Sequence, residues 1–205
     1  MDISGILKQT IVQFCTEFMA QPYLCYTEHG QHALFYTRLY NALPPAQRYT
    51  TWQGQKVGVV QKEYRTAGNL GKSRRQHWDI AVIDTPPQSM AQNRPGYDYL
   101  KLAGVVEFGL NATKEHLLDD LDRLCHPEAN VKNKFIVHLY RLSPARGLFS
   151  QHDWSPNSAR VLIPTEVGRL SVNKPVEIYY GLADSTGEYE NGVWHIVQGQ
   201  IARLG

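Results

Sequence analysis

Two stretches of this chain are apolar almost throughout, and each holds an acid in its interior. The first runs His77-Trp78-Asp79-Ile80-Ala81-Val82-Ile83-Asp84. The second runs Leu102-Ala103-Gly104-Val105-Val106-Glu107-Phe108-Gly109-Leu110-Asn111. Runs of this length suit strands covered on both faces, which demands further layers above and below the sheet. A carboxylate in mid-strand is costly there unless something pairs with it. A divalent cation is one solution, since Mg²⁺ favours one or two carboxylates and keeps several waters. Asp79 and Glu107 are therefore candidate ligands for Mg²⁺ or Mn²⁺, and metal sites of that kind handle phosphates.

With 205 residues and 42% hydrophobic content, the expectation is one domain with an ordinary core. The net charge of +2 names no partner by itself. Its distribution is more informative. Residues 44–78 hold seven Lys/Arg and one acid, Glu63, whereas residues 115–128 hold five acids and one Arg. A basic patch beside a metal site fits a polyanion; a solvated loop is the plainer explanation of the same clustering. Cys15, Cys25 and Cys125 lack CxxC spacing, so buried thiols in a reducing compartment are expected rather than disulfides or zinc. No basic and apolar leader and no span-length apolar stretch is visible, so a soluble cytoplasmic protein without membrane contact is expected.

Periodicity supplies the elements. Ile3, Leu7, Ile11, Phe14 and Phe18 predict a helix over 2–19, ended by Pro22. A second helix is predicted from Thr27 to Leu43, with Glu28 in its first turn, where a negative charge suits the helix dipole. Residues 57–65 read as a strand, Ala67–Gln76 as a Gly-rich basic loop and Thr85–Gly96 as an exposed connection. The helix Lys114–Leu124 carries an apolar stripe, and Thr113 can cap it. Lys134–Leu142, Val176–Leu182 and Val193–Leu204 read as strands; residues 143–158 read as irregular and Ala159–Leu170 is ambiguous. A strand–helix–strand unit over 103–142 predicts at least one parallel pair. The aromatics Tyr179, Tyr180, Tyr189 and Trp194 suit a core or an interface, and core is favoured. The fold class expected is α/β (α+β), a mixed central sheet flanked by helices.

The order helix, strand with a central Asp, strand with an interior Glu, helix, strand resembles the core of the PD-(D/E)XK, or restriction-endonuclease-like, nuclease superfamily. The resemblance covers about residues 26–142, leaving the helix 2–19 before it and a β-rich C-terminal extension, about 143–205, after it. It implies a metal-dependent nuclease that hydrolyses phosphodiester bonds of nucleic acid, DNA favoured. Asp79 and Glu107, with the Phe108 main-chain carbonyl, would hold one or two Mg²⁺ or Mn²⁺ ions, and Glu28 would join them from the first core helix. Glu63 is an alternative third acid. Lys72, Arg74 and Arg75 would grip the nucleic-acid backbone without reading sequence. Members of such families often dimerise, although nothing here demands it.

The sequence departs from that pattern at one position. The family's lysine falls two residues after its acid, and Gly109 stands there. Lys114 and Lys62 are the candidate replacements; Lys101 shares the strand face of Glu107 but lies about 20 Å along it, at about 3.3 Å per residue. The competing expectation is a catalytically inactive nuclease-fold subunit that binds nucleic acid or a partner protein. The plainer alternatives are a surface acid for Glu28 and pairing of Asp79 with Arg74 or Arg75. Glu107 has no charged neighbour within its own strand. His29 and His32 can share a helix face, but no third zinc ligand lies nearby in sequence.

Overall fold

The structure is a computed structural model that describes residues 3–90, 99–129, 131–142 and 161–204. The helix α1 (Ile3–Ala20) and the helix α2 (Glu28–Ala42) are followed by β1 (Tyr49–Trp52), β2 (Gln55–Gly58), β3 (Val60–Arg65) and β4 (His77–Ile83). Next come β5 (Ser89–Met90), β6 (Tyr99–Leu100), β7 (Leu102–Leu110), α3 (Lys114–Cys125) and β8 (Val131–Leu142). The described chain ends with α4 (Pro164–Leu170), β9 (Glu177–Asp184), β10 (Gly192–Val197) and β11 (Gln200–Arg203).

Seven strands form one mixed sheet in the order β11-β10-β9-β8-β7-β4-β3. The two crossovers through α3 and α4 make β7–β8 and β8–β9 parallel; the remaining neighbours are antiparallel. This is an α+β fold, as the sequence led us to expect. The C-terminal strands lie in the same sheet as β4 and β7. α1 and α2 cover one face, where Leu7, Phe14, Phe35 and Leu39 pack on Ile80, Val106 and Phe108. α3 and α4 cover the other, where Leu117, Leu121 and Val167 pack with Val105, Ile136 and Tyr180. The central strands are therefore buried on both sides, which is why their sequences run apolar rather than alternating.

Local signals place the helices. Thr27 Oγ1 accepts from the Gly30 amide at 3.1 Å to cap α2, and Thr113 Oγ1 accepts from the His116 amide at 3.2 Å to cap α3. Three boundaries differ from expectation. The strand expected over 57–65 is two strands broken at Val59. The strand expected over 193–204 is the β10–β11 hairpin, turned at Gln198 (φ 50°) and Gly199 (φ 87°). Within the expected Thr85–Gly96 connection the short strand β5 pairs with β6, while residues 91–96, like residues 143–158, lie outside the described residues. Of the three thiols, Cys15 alone is fully buried and burial pushes it up to about 12; Cys25 and Cys125 are half-buried, and all three are free. Tyr179, Tyr180 and Trp194 lie in the core.

Candidate active site

β4 and β7 carry the two interior acids to the same place. Their antiparallel register pairs Ile80 with Val106, so Asp79 and Glu107 fall opposite each other just where the ladder stops. Residues opposite across an antiparallel pair present side chains to one face. The ladder ends because side chains take over its hydrogen bonds. Asp79 Oδ2 accepts from the Phe108 amide at 2.8 Å, and the Asp79 amide approaches Glu107 Oε2 at 3.4 Å. On β3, opposite Asp79, Glu63 takes a left-handed backbone (φ 54°), which interrupts pairing on that side too.

Glu28 joins from the opposite layer. Its Oε2 accepts from the Leu110 amide at 3.0 Å, which ties the start of α2 to the end of β7. The structure thus gathers Glu28, Asp79 and Glu107 at the C-terminal end of β7. Burial pushes the Glu107 carboxyl well above the ordinary carboxylate range; repulsion from Asp79 adds to this and Arg123 opposes it. Burial also raises Glu28; the Leu110 amide and His116 oppose the rise, while Asp79 and Asp120 reinforce it.

The charge beside Glu107 comes from α3. Arg123 places Nη1 3.2 Å from Glu107 Oε1 and Nη2 2.5 Å from Asp120 Oδ1. Arg123 is a partner invisible along the strand itself, because it arrives through the tertiary fold. Neither Arg74 nor Arg75 pairs with Asp79: Arg75 donates to the Ala67 carbonyl at 2.8 Å, and Arg74 is exposed. Lys72 pairs instead with Asp119 on α3. Lys114 is exposed in the first turn of α3 and forms no ion pair with Asp79 or Glu107, and Lys62 lies 3.3 Å from Glu63. β3 does pair with β4 in register, with Lys62 opposite Ile80, and the Lys62 charge reaches His32 beside Asp79, but among the described residues no candidate lysine forms an ion pair with Asp79 or Glu107 across the gap left by Gly109.

His138 fills it. Gly109 pairs with His138 on the neighbouring strand β8, and a Cβ at 109 would lie 2.2 Å from His138 Nε2. The imidazole occupies the volume that any side chain at 109 would need. His116 and Asp120, one turn apart on α3, complete a cluster with it, their ligand atoms all within 4.8 Å of one another. Burial lowers His138 to about 4, whereas the Asp120 carboxylate beside it raises His116 to about 9. On the other side of Asp79, fully buried His32 sits with Nε2 3.6 Å from Asp79 Oδ2, and burial lowers its basicity. Glu63, 3.9 Å away, gives His29 and His32 the third neighbour that sequence spacing did not show.

Buried polar atoms without hydrogen-bond partners gather here: Glu107 Oε1, Asp120 Oδ2, Arg123 Nε and both ring nitrogens of His32 and His138. Native interiors satisfy nearly all such atoms, so their concentration around the two acids sets this region apart from the rest of the core. Asp79, Glu107 and Glu28 offer carboxylate oxygens, the donor type that a hard dication such as Mg²⁺ takes, whereas among the described residues the groups of three whose ligand atoms lie within 4.8 Å of one another are His29, His32 and Glu63, and His116, Asp120 and His138. Comparisons with family models, curated proteins and solved structures gave no match to this chain.

Proposed function

We propose that the chain is a metal-dependent nuclease that hydrolyses phosphodiester bonds of nucleic acid, DNA favoured. The reading rests above all on the convergence of Asp79 and Glu107 from neighbouring buried strands, with Glu107 Oε1 left without a hydrogen bond. When bound by these carboxylates, Mg²⁺ or Mn²⁺ supplies a water of lowered pKa and neutralises phosphate oxygens.

The chain's own groups do the rest. The Phe108 amide orients Asp79, the Leu110 amide orients Glu28, and Arg123 balances Glu107 from the α3 side. Lys72, Arg74 and Arg75 belong to the loop that leads directly into the Asp79 strand, where they can meet backbone phosphates on approach. Gly109 favours a second reading, a nuclease-fold subunit that binds nucleic acid without turnover, because no lysine follows Glu107 at the family's position.

Chelator-treated protein, assayed on plasmid, linear single-stranded DNA and RNA, should cut only after Mg²⁺ or Mn²⁺ is restored. Asp79→Asn and Glu107→Gln, shown folded by circular dichroism, should lower the rate by at least about 100-fold, since outer-shell changes alone cost about 10–100-fold at metal sites. A folded Glu107→Gln variant that cuts at the parent rate would refute the assignment. Retention of nucleic acid with no cleavage under any metal would favour the second reading.

A further inference from the structure

We propose that His116, Asp120 and His138 form a second cation site, one that takes a transition-metal dication such as Zn²⁺ rather than Mg²⁺. Two imidazoles and one carboxylate are a donor set for first-row dications, whereas Mg²⁺ prefers oxygen alone. Three protein ligands leave a coordination position open for water or substrate, as at catalytic zinc sites. The inference does not rest on the nuclease reading, because the site is defined by its own residues.

Four observations carry it. The three ligand atoms lie within 4.8 Å of one another, His116 and Asp120 from one face of α3 and His138 from β8 beneath it. His138 is fully buried, yet neither ring nitrogen has a hydrogen-bond partner. His116 Nε2 and Asp120 Oδ2 are 3.3 Å apart without the alignment of a hydrogen bond, leaving Oδ2 unpartnered as well. Finally, Arg123 Nη2 holds Asp120 Oδ1 at 2.5 Å, the kind of outer contact that fixes a ligating carboxylate.

Gly109 gives the cluster its room, because a Cβ there would collide with the His138 ring. The competing explanation is a plain ion pair between protonated His116 and Asp120. It accounts for the 3.3 Å approach but leaves the bare nitrogens of His138 unexplained.

Metal-stripped full-length protein titrated with Co²⁺ in excess Mg²⁺ decides between them. The expected result is visible Co²⁺ d–d bands, one equivalent of which depends on His116, displaced by Zn²⁺ and not by Mg²⁺. His116→Ala should abolish that equivalent; its side chain is 38% exposed, so the variant should fold, as a thermal melt can verify. Gly109→Ala should weaken it by displacing His138, and Asp79→Asn should retain it. Absence of bands in the parent, or equal bands in folded His116→Ala, overturns the proposal. Metal-dependent cleavage without Co²⁺ bands would sink this inference and spare the nuclease reading; bands without cleavage would do the reverse.

Discussion

At position 109 a Cβ would meet not only His138 Nε2 but also Ala112 Cβ, at 2.8 Å. Neither neighbour can retreat easily, since His138 is fully buried between β7 and α3 and Ala112 is in the core. Gly109→Ala should therefore cost about 1–3 kcal/mol, the usual range for overpacking, read by urea denaturation. Gly109→Lys, which restores the residue of the resembled family, should be worse alone and partly rescued by His138→Ala. A Gly109→Ala protein as stable as the parent would mean that the ring does not rest there. The same residues show what the sequence could tell. Asp79 and Glu107 were legible because a carboxylate in an apolar run is a local anomaly. His138 is an anomaly of the same kind, an imidazole inside Phe135–Tyr140, and that signal could have found it. Asp120 is one more such anomaly, an acid set among Leu117, Leu121 and Leu124 on the buried stripe of α3, whereas Arg123 gave no signal, since a charge on the polar face of an amphipathic helix is ordinary.

Among elements, the α1–α2 connection is fastened to the sheet by a side chain of β8. Arg141 is buried and donates from Nη1 to the Pro22 and Cys25 carbonyls at 2.9 and 3.0 Å, and from Nη2 to the Tyr26 carbonyl at 2.7 Å. The Cys25 and Tyr26 carbonyls immediately precede the Thr27 cap, so Arg141 helps set where α2 begins and hence where Glu28 lies. Each charge-assisted bond is worth about 1.5–3 kcal/mol, so Arg141→Ala should cost about 3 kcal/mol or more in urea denaturation. On the proposed function it should also slow cleavage by displacing Glu28. The β9–β10 turn is fastened differently. Asp184 Oδ1 accepts from the Thr186 amide and hydroxyl at 2.7 and 2.6 Å, and Oδ2 accepts from the Tyr189 amide at 2.8 Å. Burial opposes ionisation of Asp184, but these donors overcome it and lower its pKa. A lowered carboxyl contributes stability that is complete above the unfolded value, about 3.9, and is lost as pH falls through the folded one. Asp184→Asn should therefore be less stable than the parent at neutral pH, with the gap narrowing below about pH 3.9, as paired urea titrations would reveal. The helices and buried strands were readable from periodicity, whereas both tight hairpins were not. β1–β2 and β10–β11 each turn on Gln-Gly, at 53–54 and 198–199, with positive φ at both residues. Gln is not among the residues that favour such turns, so the only local cue was glycine.

At the scale of the molecule, the resemblance covers about residues 26–142, yet the packing gives that stretch no independence. β9 pairs along β8 from Phe135 to Leu142, so removing it would expose a central strand as an edge. α1, at the other end of the chain, bridges the gap in sequence: Leu7 would lie 3.0 Å from a Cβ at Gly104 on β7, and Lys8 pairs with Glu177 on β9 at 2.7 Å. Phe18 and Met19 border Gly181, also on β9. The first helix thus lies against strands from both halves, and neither half can shed the other without baring its apolar face. Ile178, Tyr180, Leu182 and Ile196 are essentially unexposed, and at about 1.5–3 kcal/mol per buried side chain they alone carry about 6–12 kcal/mol. A chain ended at Leu142 should accordingly fail to give a cooperative urea transition, while the full chain unfolds in one step, with far-UV dichroism and tryptophan fluorescence coincident. Tryptophan reports on both halves, because Trp78 lies on β4 and Trp194 on β10. A truncated chain that melts cooperatively and still binds divalent metal would show instead that the site's strands stand alone, with the C-terminal strands an addition to a self-sufficient core.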